Sequence, residues 1–453
     1  MVEIASSNIS GGARRQPYSA WRQWGMVALL SLIGAVSLID RSIILVMIPE
    51  IKADLGISDA QFGLIQGLSF GVAYTCFALI SGMLVDRSPR HLLLSLSLAV
   101  WTLAAAACGL AQSFAQLLLS RVVVGVGEST ASPAAQSIIG DLFAKERLAA
   151  PVSVYMSMGA ISTGISVALG GWLLNLFTVN PHLLVGGLVP WRQVLIVSAL
   201  PGLALMLVIL MVREPRRTVV DGGGAKPPSW AAYGAFVREC RPAFWGLVAG
   251  YALCGLAAYG ALAWGPTYAR RVLGMSPQQV GESLGLIFGV GTPLFTILLG
   301  TLADFRVRAG HYDFPLKLMM IVLAIALPLG VAGFLIKSVP LYYVAMFALQ
   351  CGIVGAVGQL LAALQMISPP NMRGRSGAVT LIASSVGAYA GGSFIIGFLT
   401  DYLYQDDQAV GYSIATVVAV AAPVAIIFLQ WSRRSFVRRL ESLRQLDKAT
   451  LAG

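Results

Sequence analysis

Long runs of apolar residues, almost free of charge, recur from one end of the chain to the other, and each is long enough to cross a bilayer core of roughly 30 Å as a helix. Leu, Ala and Gly continue through them without the period-two alternation of a barrel strand, so the spans are helices. They fall at 24–49, 59–85, 91–111, 115–142, 149–176, 191–212, 243–269, 279–303, 315–336, 341–367, 375–400 and 411–431. The pattern therefore predicts an all-α integral membrane protein with twelve transmembrane helices.

The polar stretches divide this series in two. The longest connection, REPRRTVVDGGGAKPPSWAAYGAFVRECRP, is broken by Gly and Pro clusters and reads as a linker. GMLVDRSPR begins at Gly82 and GTLADFRVR at Gly300, while the first and seventh spans start 219 residues apart. Glycines of the fifth span (Gly159, Gly164, Gly170, Gly171) are echoed in the eleventh (Gly387, Gly391, Gly392), where small residues allow close helix approach. Two pseudo-symmetric six-helix bundles are expected, over 24–212 and 243–431. Around them lie an N-terminal segment 1–23, a linker 213–242 carrying an interfacial helix, and a basic amphipathic tail 432–453.

Composition and charge narrow the function. Of the 453 residues 57% are hydrophobic and 11% charged, which excludes an ordinary soluble domain. A net charge of +11 is compatible with nucleic acid or a membrane surface, and its distribution decides for the membrane. The 31 basic residues divide as 24 in one set of connections, 5 in the other and 2 inside spans, which by the positive-inside rule puts both termini in the cytoplasm. In a bacterium that means the inner membrane. The stretch after the polar first 23 residues is too long for a removable signal peptide and is expected to remain as the first span. Five scattered cysteines and three isolated histidines offer neither a disulfide framework nor metal-ligand spacing. No phosphate-binding glycine loop and no hydrolytic constellation is present, so an enzyme and a bound cofactor are not expected. Trp21, Trp24, Tyr18, Trp230 and Tyr233 suit an aromatic belt at the headgroups, and Phe436, Leu440 and Leu443 suit a tail lying on membrane lipids.

Away from the span ends, four charged residues fall inside spans: Asp40 and Arg41 in the first, Arg121 and Glu128 in the fourth. An uncompensated charge at the bilayer centre costs several kcal/mol, so each is expected to face a partner or a cavity. At 1.5 Å per residue, Asp40 lies about 14 Å from the outer end of helix 1, with Arg121 and Glu128 about 9 and 20 Å down helix 4. Seven residues apart, Arg121 and Glu128 share a helix face, and the four charges sum to zero. They form either a structural ion-pair cluster or a site where substrate reaching an arginine releases Glu128 or Asp40 to take a proton. The second half has no formal charge in its span cores and should supply an apolar and aromatic wall. Few amides lie near mid-membrane to match sugar hydroxyls, which disfavours a carbohydrate. Asp86, Arg87 and Arg90 after helix 2, with Gly82, and their second copy with Asp304 and Arg306, read as a conformational latch.

Twelve helices in two bundles, a GxLxDR loop after helix 2 and an arginine within helix 4 resemble the major facilitator superfamily. More narrowly, LIDRSIILVMIPEIKADLGISDAQFGLIQGLSF and RVVVGVGESTASPAAQSIIGDLF resemble the Spinster family of lipid transporters, mainly over 38–175. The resemblance implies proton-coupled or facilitated movement of sphingoid lipids or lysophospholipids by a monomer. It places substrate binding on Arg41, Arg121 and Glu128 and proton coupling on Glu128 and Asp40. Alternating access, with a cavity enclosed by helices 1, 4, 7 and 10 and driven by the proton gradient, is the expected mechanism. An exporter of small organic anions or drugs, and a non-transporting receptor or scaffold, are the competing readings.

Overall fold

A computed structural model describes residues 18–143, 147–184, 187–212, 214–215, 229–369 and 371–452. Most of the N-terminal segment, Lys145, Arg213 and the glycine-rich part of the linker lie outside the described residues. The spans are α1 (Ala20–Val46), α2 (Asp59–Arg87), α3 (Arg90–Leu110), α4 (Phe114–Glu128 with Ala131–Leu142), α5 (Ala149–Val179), α6 (Pro190–Met211), α7 (Arg241–Arg271), α8 (Pro277–Arg308), α9 (Phe314–Leu335), α10 (Val339–Ile367), α11 (Arg373–Tyr404) and α12 (Val410–Ala452). Eleven are continuous helices long and apolar enough to cross a bilayer.

The expected continuous fourth span is instead broken just after Glu128. Pro133 has no N–H to give the carbonyl of Ser129, and its ring would crowd that carbonyl in a straight helix. The Ser129 hydroxyl instead meets the Ser81 hydroxyl of α2 at 2.8 Å and bonds the Val126 carbonyl at 2.7 Å. The break thus gains side-chain partners from its neighbour.

The repeat seen in sequence is physical. α2 and α8 both begin with a Ser-x-x-Gln capping box, Ser58 with Gln61 and Ser276 with Gln279, and both carry a π-helical turn, Leu64–Ser69 and Ile287–Gly291. Gly159 and Gly170 of α5 face Leu38 and Ile43 of α1, as Gly387 and Gly392 of α11 face Ala252 and Gly260 of α7. Gly164 and Gly171 serve a second contact: a Cβ at either would overlap the backbone of α8, at Gly289 or at the Pro277 carbonyl. Across the molecule Gly63 and Gly67 of α2 meet Ser393, Phe394 and Tyr389 of α11 in the same way.

These cross-half contacts lie toward the face opposite the chain termini, called the far face below. Toward the termini the same helices expose apolar residues: Phe77, Ile80 and Met83 of α2, Ile297 and Leu298 of α8, Leu381 and Ile382 of α11. The two halves are shut at the far face and splayed at the termini face.

The tail and linker differ from expectation. α12 runs unbroken into the tail, and Phe436 and Leu440 are buried in the protein core, so protein rather than lipid covers this apolar face. Helix Trp230–Glu239 packs there too, with Tyr233 and Phe236 against Phe244, while Arg439 pairs with Glu239 at 2.6 Å. Tyr233 is therefore a core residue, whereas Trp21 and Trp230 remain 88% and 74% exposed, as headgroup anchors would be.

The latch residues divide sharply. Arg90 is buried to 1% and reaches Asp141, Ser137, Glu214 and the Pro215 carbonyl, tying α3 to the ends of α4 and α6 within one half. Gly82 has open space around it, Arg87 is exposed, and Asp86 makes its contacts at the exposed rim. Asp304 is exposed and Arg306 stacks on Phe314, so the second copy does not repeat the Arg90 network. Its counterpart is a charge-swapped pair: Asp313, at the start of α9, binds Arg433 of α12 at 2.7 Å, and 433 is position 214 plus the 219-residue repeat offset.

Burial pushes the Glu214 carboxyl upward, but hydrogen bonds from Arg90 and His91 outweigh it and hold the group below the ordinary range. Lys317 and Arg433 do the same for Asp313. Both groups stabilise the fold fully above their unfolded values of about 4.3 and 3.9, and that contribution is lost as pH falls through the lowered folded values. Arg90→Ala should cost about 3–5 kcal/mol of stability at neutral pH, because it removes the buried cation that Asp141 and Glu214 share, and should flatten the loss of stability below about pH 4. Thermal unfolding of the purified protein across that range tests both; a wild-type acid profile in the variant would refute the assignment. Gly171→Val should weaken the shut far face by about 1–3 kcal/mol. The readout is disulfide yield between cysteines placed at Asn175 and Gln278, whose side chains bond at 3.1 Å; an undiminished yield would count against it.

Candidate functional site

Asp40 and Arg41 come from the last full turns of α1, and Arg121 and Glu128 from two turns of α4, so the sequence spacing carries all four to one buried level. Their exposures are 2%, 7%, 2% and 1%. Arg41 Nη2 donates to Glu128 Oε2 at 2.8 Å, and Arg121 Nη1 donates to the backbone carbonyl of Asp40 at 3.2 Å. The pairing is crossed: each helix gives an arginine to the other. The expected closed network of four is only partly made. Neither carboxylate oxygen of Asp40, nor Arg121 Nε and Nη2, nor Glu128 Oε1 completes a hydrogen bond within the described protein, although Arg121, Glu128 and Trp101 neighbour Asp40. Polar groups left half-satisfied away from water are costly.

Arg41 is held from three sides. Its guanidinium lies 4.5 Å from the ring centre of Phe70, 4.9 Å from Tyr74 and 5.5 Å from Tyr389, with Nη1 donating to the Tyr389 hydroxyl at 3.4 Å. A flat, delocalised cation can stack on rings while donating within its plane, which an ammonium cannot do as well. Gln66 Nε2 donates to the Arg41 carbonyl at 2.9 Å, fixing the backbone where α1 tightens into its last turn.

A cavity of about 220 Å³ lies between the halves against Arg41. Leu38, Arg41, Ser42 and Thr163 line one side; Tyr259, Leu262, Phe288, Thr292, Gln350 and Tyr389 are among those lining the other. Arg41 is the one formally charged residue on this wall. The second half supplies apolar and aromatic surface with a few hydroxyls and one amide, in line with its uncharged spans. Two expectations need correction. α4 does not reach the wall: helices 1, 5, 7, 8, 10 and 11 do, in place of 1, 4, 7 and 10. Of the three residues expected at the substrate, Arg41 faces the cavity while Arg121 and Glu128 stand behind it.

Sequence reasoning passed over Gln66, Tyr259, Tyr389 and Gln350, although each is a polar residue inside an apolar run. It also missed the far face entirely. There Arg270 binds Glu50 with both terminal nitrogens at 2.6 and 2.5 Å, Arg271 binds Asp59 at 2.7 and 2.9 Å, and Lys52 reaches Asp59 and Asp407. Asp401 of α11 accepts from the backbone N–H of Asp59 and Ala60, capping α2 from the other half. Asp59, Asp401 and Asp407 approach one another closely, with Lys52 and Arg271 paired to Asp59, Lys52 also to Asp407, and Asp401 held by backbone N–H groups.

Residues 30–392 match the Major Facilitator Superfamily. Over 412 residues the chain is 27% identical to an MFS-type efflux pump of Mycolicibacterium smegmatis, covering 90% of this chain and 91% of that one. It is 27% identical over 416 residues to protein spinster homolog 1 of Bos taurus, covering 84% and 74%, so the likeness extends well beyond residues 38–175. Its fold matches a bacterial homolog of the human lysosomal transporter Spinster, solved inward-facing and unoccupied, with a TM-score of 0.76, 23% identity and coverage of 94% and 99%. With two repeated bundles around a cavity that meets a buried arginine, the chain belongs to the Major Facilitator Superfamily as a multi-pass membrane transporter, similar within it to the Spinster proteins.

Proposed function

We propose that this transporter is proton-coupled and moves an amphipathic, anionic lipid of the sphingosine-phosphate or lysophospholipid class by alternating access. The observation that carries the reading is the double position of Arg41, which faces the cavity and at the same time neutralises Glu128 behind it. A headgroup anion reaching Arg41 competes with Glu128 for one guanidinium. Glu128, losing its partner at a site shut off from water, is then best accommodated as a neutral acid, so substrate arrival and proton uptake are linked. Asp40 is a second carboxylate within reach of the same proton, and Arg121 positions both by holding the α1 backbone. The apolar wall of α7, α8, α10 and α11 shelters the acyl chain. With both termini cytoplasmic, the splayed face opens inward and the Arg270 and Arg271 pairs close the outside. The energy source is the proton gradient, with no bound cofactor and a monomer as the working unit. Exposed basic residues of the tail, such as Arg434 and Arg438, suit anionic lipid headgroups.

The second reading, export of a small organic anion or drug, is favoured by the match to the mycobacterial efflux pump. The two separate on acyl-chain length: affinity for a lipid carrier should rise with each added methylene, by up to ~0.8 kcal/mol, whereas an anion exporter should be indifferent.

Flux of labelled lysophospholipid and sphingosine phosphate in proteoliposomes should rise with a pH gradient, and Glu128→Gln should abolish that rise while leaving ligand binding measurable. Gradient-driven flux persisting in the variant would sink the coupling role. Arg41→Ala should weaken headgroup binding about tenfold or more, the scale of a lost hydrogen bond to a charged group, with little effect on a neutral lipid of the same chain length; equal losses for both would remove Arg41 from headgroup recognition.

A further inference from the structure

We infer that Tyr389 is the positioning residue through which the C-terminal half reads the state of the Arg41–Glu128 pair. The inference rests on the function just proposed and assigns the step that connects its buried chemistry to the movement of the halves.

The buried cluster belongs wholly to the N-terminal half: Asp40 and Arg41 on α1, Arg121 and Glu128 on α4. Among the described residues, the C-terminal half touches its side chains at Tyr389, through a hydrogen bond to Arg41 Nη1 and a ring against its guanidinium. Tyr389 stands in the π-helical stretch Ser385–Gly392 of α11, where the backbone departs from the regular ladder. Its carbonyl lies where a side chain on Gly67 would be, and its Cβ lies within contact of Gly71, so α2 and α11 are closely apposed at this residue. Its ring packs edge-on against Tyr259 of α7 at 4.6 Å, and the Tyr259 hydroxyl receives Gln66 Nε2, which also holds the Arg41 carbonyl. One side chain is therefore in contact with the charged pair, with the close crossing of the two halves and with α7.

The physical consequence follows from the geometry of a guanidinium. Its hydrogen bonds lie in its plane and its ring contacts lie on its faces, so a turn that follows a lost or gained anion changes both together. Neutralising Glu128 takes away the negative charge that holds Arg41 Nη2 at 2.8 Å, and with the bond weakened Arg41 is freer to turn. Phe70 and Tyr74 move with the N-terminal half, but Tyr389 belongs to the other, so the change in Arg41 alters the fit between halves at this one contact. The other charged and titratable groups around the pair do not bridge the charge to α11: Asp40, Arg121 and Tyr74 belong to the N-terminal half with it, and Tyr259 of α7 meets Gln66 and the edge of Tyr389.

The test is a distance measurement between spin labels at Met83 of α2 and Leu381 of α11, both exposed on the splayed side, in a cysteine-free background in nanodiscs. Glu128→Gln stands in for the protonated carboxyl. With Tyr389 present it should change the ratio of open to closed distances by about fivefold or more, the lower end of the range for coupled sites. In a Tyr389→Ala background the same substitution should change the ratio less than about twofold, and Tyr389→Phe, which keeps the ring over the guanidinium, should restore more than half of the response. Should the alanine protein fail to purify as a single species, Tyr389→Leu, which removes the ring face but keeps most of the volume, is read in the same way. An equal response with alanine or leucine at 389 overturns the inference, as does no response to Glu128→Gln in the parent. The measurement needs neither lipid nor gradient, so a failure of the transport proposal would show in flux while this result stood or fell by itself.

Discussion

A guanidinium removed from water must be matched on its edges and covered on its faces, and the centre of this transporter is organised around meeting that requirement for Arg41. Glu128 supplies the edge, and Phe70, Tyr74 and Tyr389 supply the faces. Those partners come from α4, α2 and α11, so satisfying one side chain on α1 brings three other helices into fixed relation. A buried ion pair of this kind gives little net stability, because desolvation offsets the attraction, but breaking it by removing one partner costs about 3–5 kcal/mol. That asymmetry suits a site where partners are exchanged and never simply lost.

The two bundles repeat in backbone and differ in chemistry. Capping boxes open both α2 and α8, a π-helical turn lies within each, and glycine faces recur on α5 and α11. Formal charge inside the membrane is confined to the first bundle, while the second lines the cavity with rings, methyl groups and hydroxyls. At the termini face each bundle is braced by its own ion pair with the signs exchanged, Arg90 with Glu214 and Asp313 with Arg433. Such pairs hold a bundle rigid without joining it to the other. Among the described residues the ion pairs that join the bundles sit at the far face, where Arg270, Arg271 and Lys52 cross between them and Asp401 caps α2, while at the centre Arg41 and Gln66 donate to Tyr389 and Tyr259. Rigid halves with exchangeable contacts at one end are what rocking motion about a central site requires.

Much of this was present in the linear pattern. Hydropathy is a local property, and a bilayer forces each span to satisfy its own backbone, so twelve spans, two halves and the repeat between them are legible residue by residue. The four intramembrane charges stand out for the same reason, since any other charged residue of those runs lies at an end. Pro133 was equally visible and marks the break in α4, although the hydropathy of the run conceals it. What the pattern could not carry was the partner of each group. Arg41 meets Glu128 at a separation of 87 residues and Tyr389 at 348, and Arg270 meets Glu50 at 220.

The sequence alone therefore determined that the chain is a helical membrane protein of two related halves with a buried charged centre, because length, hydropathy and spacing act within single helices. Only the tertiary structure decided that Arg41 faces the cavity while Arg121 and Glu128 stand behind it. It also decided that the tail's apolar face is covered by protein and that the far-face charges form a closure, not a solvated loop. Each of those outcomes depends on which helices are neighbours, and neighbours are chosen by packing between surfaces that no local pattern contains.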